Sequence, residues 1–183
     1  MKKAMQDFER YLNRRYRGRS TAKHYMSDLS IFIEVIGEKA ADAVTPVDID
    51  RFVESQIAAH MSAATINRRL ASLRTFFEYL AAEDLTRPWP NPVIWRRHGM
   101  KEGEHLPRDA SEQDVARLFA VIEAERDRAM FGLMVGAGLR VGEVAGLLVS
   151  SLEAPHETGQ LARLRVLGKG VKERIMWRMP NCS

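Results

Sequence analysis

Apolar residues recur at helical spacing in four successive stretches before the pattern of the chain changes. Met5, Phe8, Leu12 and Tyr16 fall at three- and four-residue steps, which predicts a helix over 3–17 with one inward stripe. Gly18 ends it, and Ser20 is placed to cap the next helix with its hydroxyl. Tyr25, Leu29, Phe32, Ile33 and Ile36 line one face of that second helix, and Gly37 stops it. Thr45-Pro46 sets a hydroxyl before a proline at the first helical position, and a third helix follows with Ile49, Phe52, Val53 and Ile57 inward. A fourth runs from Ser62 to about Ala82 on a core face of Ile66, Leu70, Leu73, Phe77 and Leu80.

The periodicity then lapses. Arg87-Pro-Trp-Pro-Asn-Pro92 forbids continuous helix, and the polar, glycine-containing stretch after it has no period. This predicts three parts: a helical domain over 1–86, a linker over 87–106, and a second domain over 107–183. The second domain opens on Ser111, a helix cap with Asp114 as its acidic partner. Val115, Leu118, Phe119 and Ile122 form the apolar face of that helix. Another starts at Arg126-Asp-Arg128 and is apolar nearly all round from Ala129 to Ala137, which predicts a buried helix. It breaks at glycines in Gly136-Ala-Gly-Leu-Arg-Val-Gly142, with Arg140 at the break and Glu143 three residues on. From Leu161 the period becomes two. Leu161 to Leu167 and Lys172 to Met179 read as strands joined by Gly168-Lys-Gly170, a β-hairpin with Lys169 at its tip.

One face of the fourth helix changes the picture. Opposite its core stripe stand Thr65, Arg68, Ser72, Thr75 and Tyr79, with Arg69 and Arg74 on the flanks. Short hydroxyls let a helix approach a phosphate backbone closely, and arginine supplies charge-assisted contacts or reads guanine. The bland alternative is a helix packed against another polar face of its own domain. The net charge of +4 names no partner by itself. The clusters Arg10, Arg14, Arg15, Arg17, Arg19 and Arg68, Arg69, Arg74 are footprints of phosphate-backbone binding or solvated helix faces.

Other chemistry is poorly represented. No apolar run approaches a membrane span, and the charged N-terminus does not read as a secretion signal. The single cysteine, Cys182, fits a reducing cytoplasm. No Cys/His set has metal-ligand spacing, so neither a metal nor another cofactor is expected. The glycines around Arg140 follow a helix, whereas a dinucleotide loop follows a strand. Gly168-Lys-Gly170 lacks the upstream spacing and the following Ser/Thr of a P-loop.

Taken in order, the motifs carry a resemblance. Gly138-Leu-Arg-Val-Gly-Glu-Val-Ala-Gly-Leu147, then Leu164-Arg-Val-Leu-Gly-Lys-Gly-Val-Lys-Glu-Arg174, resemble the first half of the catalytic domain of tyrosine recombinases, the phage integrase family and its Xer-like branch. Ser62 to Leu80 resembles the last helix of that family's core-binding domain, and Arg126 to Met130 its approach to the active-site arginine. The resemblance implies a mainly α chain: a helical core-binding (SAM-like) domain, then the first part of an α+β catalytic domain with a β-hairpin. It implies duplex DNA as partner, other recombinase protomers in a synaptic complex, and site-specific recombination or integration as function.

It also implies roles. Arg140 would grip the scissile phosphate, Lys169 would donate a proton to the leaving 5′-hydroxyl, and Glu143 would support the arginine. Thr65, Arg68, Arg69, Ser72, Arg74 and Thr75 would face DNA. Gly142 stands where the family more often has serine. The family's His-x-x-Arg box and tyrosine nucleophile do not follow the hairpin, and Tyr11, Tyr16, Tyr25 and Tyr79 all lie in the first domain. The expectation is a chain that does not cleave DNA alone, with a loosely packed second domain. The alternatives are a non-catalytic DNA-binding regulator of a full-length recombinase and a helical scaffold that binds nothing.

Overall fold

The computed structural model describes residues 1–16, 20–83, 86, 90–103, 109–153, 162–168 and 172–177. The chain is mainly α-helical and divides into two compact units, Met1–His105 and Leu106–Ser183.

The first unit packs four long helices: α1 (Lys2–Arg15), α2 (Thr21–Ile36), α3 (Pro46–Ala58) and α4 (Ala63–Glu83). Their inward stripes meet in one core. Phe8, Leu29, Phe32, Ile49, Phe52, Leu70, Leu73 and Phe76 are fully buried. The Phe8 ring stands 5.3 Å from Phe76 and 5.1 Å from Tyr79, and Phe32 meets Phe52 edge-on at 5.3 Å. Such pairs add to what burial alone contributes. Helix α2 ends at Gly37 (φ 80°, ψ 171°), a region that side chains with a Cβ avoid.

Two start signals differ in outcome. At Thr45 the Asp48 carboxylate accepts from the backbone N–H at 2.9 Å and from the hydroxyl at 3.0 Å, closing the start of α3. Ser20 makes no side-chain capping bond.

Part of the stretch expected as a linker is laid on α3 and α4; its residues 87–89 and 104–106 lie outside the described set. A short helix, α5 (Trp95–His98), forms there, and Val93 and His98 are buried. The Asn67 side chain donates to Met100 O at 2.9 Å and accepts from Met100 N–H at 2.8 Å. Arg97 pairs with Asp50. His98 accepts from Ile94 N–H at Nδ1 (2.9 Å), so its proton sits on Nε2, facing Pro46 O at 3.2 Å and Asp50 at 3.3 Å.

Burial holds this imidazole below the usual histidine range, although the Asp50 carboxylate pulls the other way. The folded state thus binds fewer protons than the unfolded chain, so its stability falls as pH drops through about 6.5. Asp50 is held low by the Arg97 hydrogen bonds. Asp48 is also low: burial alone would raise it, but Lys39 and Thr45 prevail. Both carboxylates therefore lose their contribution only below about pH 4. Urea unfolding should show a lower midpoint at pH 5 than at pH 7.5, and His98→Gln should remove the difference. An unchanged pH dependence in that variant would sink the assignment.

The second unit is built differently. Helix α6 (Glu112–Val121) starts with the expected box: Ser111 Oγ accepts from Asp114 N–H at 3.1 Å, and the Asp114 carboxylate accepts from the hydroxyl at 2.7 Å. Helix α7 (Glu125–Ala137) ends at Gly138 in the left-handed region, φ 63°, where glycine carries no Cβ penalty. The short α8 (Val141–Ala145) follows.

Three antiparallel strands lie in the order β1-β2-β3: β1 (Leu152–Glu153), β2 (Arg163–Gly168) and β3 (Lys172–Trp177). The pairing Gly168↔Lys172 closes the hairpin. Its expected tip residue, Lys169, lies outside the described residues, as do Cys182, Arg17 and Arg19.

The buried core here is small, Leu139, Val144 and Val166, with Met130, Leu133, Leu164 and Met176 packed around it. Helix α7 corrects the expectation of burial: none of its residues is fully buried, and Phe131 and Val135 are exposed. An all-round apolar helix needs cover on every side, and within this unit α7 has it on one.

Candidate functional site

Arg140 is the residue at which α8 begins. Its backbone is extended, which aims its N–H along the new helix turn, and that N–H donates to Glu143 Oε2 at 2.8 Å. Its guanidinium donates to Glu143 Oε1 at 3.3 Å. Glu143 is 7 % exposed, and Oε2 also accepts from Arg174 Nη2 at 2.9 Å. The Arg140 N–H and the Arg174 and Arg140 guanidiniums together hold the Glu143 carboxyl below the usual carboxylate range. The Arg140 side chain remains 73 % exposed. The result is a fixed backbone carrying an open guanidinium with donors left for a phosphate.

Arg174 is absent from the sequence-based assignment, but the strand period could have found it. The pairs Val166↔Arg174 and Leu164↔Met176 place these four residues on one face of the hairpin. Val166 is fully buried and Met176 packs on the same core, whereas Ile175 is exposed. The face that points at α8 therefore carries Arg174.

The six residues expected at DNA in the first unit separate into two groups. Arg68, Arg69 and Ser72 converge on Asp28 of α2. Arg68 donates to both Asp28 oxygens, at 2.6 and 2.9 Å, and Ser72 Oγ donates to Oδ2 at 2.7 Å. Arg69 bonds Gln56, and its Nε stands 3.9 Å from Asp28 without a hydrogen-bond partner among the described residues.

Ser72 is thus buried, not presented, and that part of the face packs on a polar group of its own domain. Thr65, Arg74 and Thr75 stay apart from this group. Thr65 meets Ser62 at 2.9 Å, Arg74 pairs with Glu78, and Thr75 donates to Ala71 O. Tyr79, from the same face, packs against Phe8 and Tyr11.

Asp28 falls three residues after Tyr25 and four before Phe32, a charge on an inward stripe, and that spacing is the signal in the sequence that marks it. Through it α2 joins α4 in one polar seam. Lys23, His24 and Ser27 are exposed on α2, and Ala64, Arg68 and Ala71 on α4. No helix among the described residues is long and apolar enough to cross a membrane. No cluster of His, Cys, Asp or Glu among them could hold a metal ion.

The first unit thus offers a polar α2–α4 seam, and the second fixes an open arginine ahead of a β-hairpin. Residues 5–84 match the phage integrase N-terminal SAM-like domain. The tyrosine recombinase XerD of Proteus mirabilis is 34% identical over 140 residues, which is 73% of this chain and 42% of that protein. XerC of Listeria innocua is 28% identical over 181 residues, 92% of this chain and 58% of its own length.

Among solved structures, a lambda integrase dimer bound to a COC′ core site superposes with a TM-score of 0.74 at 17% identity, covering 97% of this chain and 48% of that one. XerH bound to a difH substrate gives 0.64 at 15% identity, over 97% and 54%. The chain belongs to the tyrosine recombinase family. It spans about half the length of the curated relatives it matches.

Proposed function

We propose that this chain is the DNA-binding portion of a site-specific tyrosine recombinase, acting in the cytoplasm on duplex DNA together with other recombinase protomers. In this reading the helical domain (1–86) and the catalytic portion (107–183), joined by 87–106, each contribute to the grip. Arg68, half exposed at the α2–α4 seam, engages the DNA backbone. Arg140 takes the scissile phosphate, Glu143 supports it, and Lys169 supplies the proton to the leaving 5′-hydroxyl.

The observation that carries the reading is the Glu143 carboxylate. It binds the Arg140 backbone and side chain at once and leaves most of the guanidinium exposed. A surface ion pair would need only the side-chain contact. A planar cation held this way is prepared for the two parallel bonds of a phosphate. The names of the relatives and the DNA in the lambda integrase and XerH structures support the choice of partner.

The test is duplex binding by the whole chain at two salt concentrations. Affinity should fall about ten-fold or more between roughly 50 and 200 mM salt, because phosphate contacts release counterions. A flat response would favour the scaffold that binds nothing.

A further inference from the structure

Asp28 is a carboxylate inside the helical unit, 2 % exposed, with its two oxygens occupied by Arg68 and Ser72. Arg68 is its opposite in one respect: its side chain is 51 % exposed. Of the five guanidinium donors, two are committed to Asp28 and the rest remain for a ligand. A bidentate pair fixes the plane of the guanidinium as well as its position. A long side chain on a free surface helix would lose rotamer freedom on binding. Here that loss is taken at folding. Neighbouring exposed positions on α4 are alanines, Ala64 and Ala71, which leave room for a backbone to approach.

We propose that Asp28 is a positioning residue: it holds the Arg68 guanidinium at the α2–α4 surface in the orientation that takes a DNA phosphate. This rests on the reading of that surface as the DNA-binding one. The proposal makes a prediction opposite to simple charge counting. Removing a carboxylate near DNA raises the net positive charge and by itself should tighten binding. If Asp28 acts by orienting Arg68, removing its charge should weaken binding.

The experiment is fluorescence anisotropy of a labelled duplex with the full chain, the wild type beside Asp28→Asn, Arg68→Ala and the double variant, across a salt series. Asp28→Asn should bind about five- to ten-fold more weakly, with a salt slope shallower by up to about one, the signature of one lost phosphate contact. In the Arg68→Ala background the same substitution should cause no further loss. A role in folding alone would not cancel in this way. Circular dichroism establishes that each variant is folded. Ser72→Ala, which removes one tether and keeps the ion pair, serves if Asp28→Asn does not fold, and should bind about two- to three-fold more weakly.

Binding by Asp28→Asn or Ser72→Ala as tight as wild type or tighter, with wild-type binding steeply salt-dependent, overturns the proposal and leaves the DNA-binding reading standing. Loss of equal size with and without Arg68 also overturns it. Wild-type binding that ignores salt overturns the reading itself, and the proposal with it.

Discussion

Phe8→Ala will destabilise the helical unit by about 3–5 kcal/mol, the range for truncating a fully buried phenylalanine. Phe8 has no exposed surface and stands where α1 meets α4, with its ring against Phe76, Tyr79, Tyr25 and Tyr11. Alanine removes the apolar area and leaves a cavity that four rings on three helices cannot close together. The aromatic pairing is lost as well. Urea denaturation followed by far-ultraviolet circular dichroism reads the change. Val47→Ala, at a residue of the same unit that is 57% exposed, serves as the control and should stay within about 0.5 kcal/mol. A loss under about 1 kcal/mol at Phe8 would mean that the ring cluster is not where the stability of the unit resides.

Arg68→Ala will lower duplex affinity by about ten-fold or more and reduce the salt slope by about one. Arg140→Ala will lower it less. Arg68 is a guanidinium held by Asp28 and half exposed at the α2–α4 surface. Arg140 engages a single phosphate and forms part of a much smaller packed unit. The Arg68 change also leaves Asp28 buried with only Ser72 and the more distant Arg69, so the variant should be less stable. Binding is therefore compared at a temperature where circular dichroism shows both variants folded. Equal effects, or a silent Arg68→Ala, would show that the fourth helix is misplaced on DNA.

Much of the first unit could be read directly from residue spacing. The inward stripes of α1 to α3 and the capping residues Thr45 and Ser111 announce themselves because each rests on local geometry: a 3.6-residue period, or a hydroxyl three residues from an acid. Ile57 is the correction on α3: its spacing predicts it inward, but it is 48% exposed at the last turn, and its neighbour Gln56 is buried instead. Helix α4 was legible on one side only. A single apolar stripe assumes one packing partner, but α4 is also met by α1, α2 and the 90–103 segment. Its buried arc therefore extends to Ser72, a small polar residue that the period assigns outward.

The Asp28–Arg68 pair joins positions forty residues apart, and no local rule connects them. In the second unit the glycine break at Arg140 and its carboxylate partner were visible as an i,i+3 pair. Arg174 was not, because its contact with Glu143 depends on which face of the hairpin meets α8. Composition misled at α7, where an all-round apolar sequence does not say which sides its own unit covers.

The hairpin face that meets α8 has a consequence for Arg140. A strand period of two means that a slip of β3 against β2 by one residue would carry Arg174 to the other side of the sheet and bring Ile175 in its place. Glu143 would then be left with Arg140 alone. The arginine turn is thus sensitive to the pairing of two strands it does not belong to. Any change in the β2–β3 turn that shifts register would be felt at Arg140, however conservative it looked in the sequence.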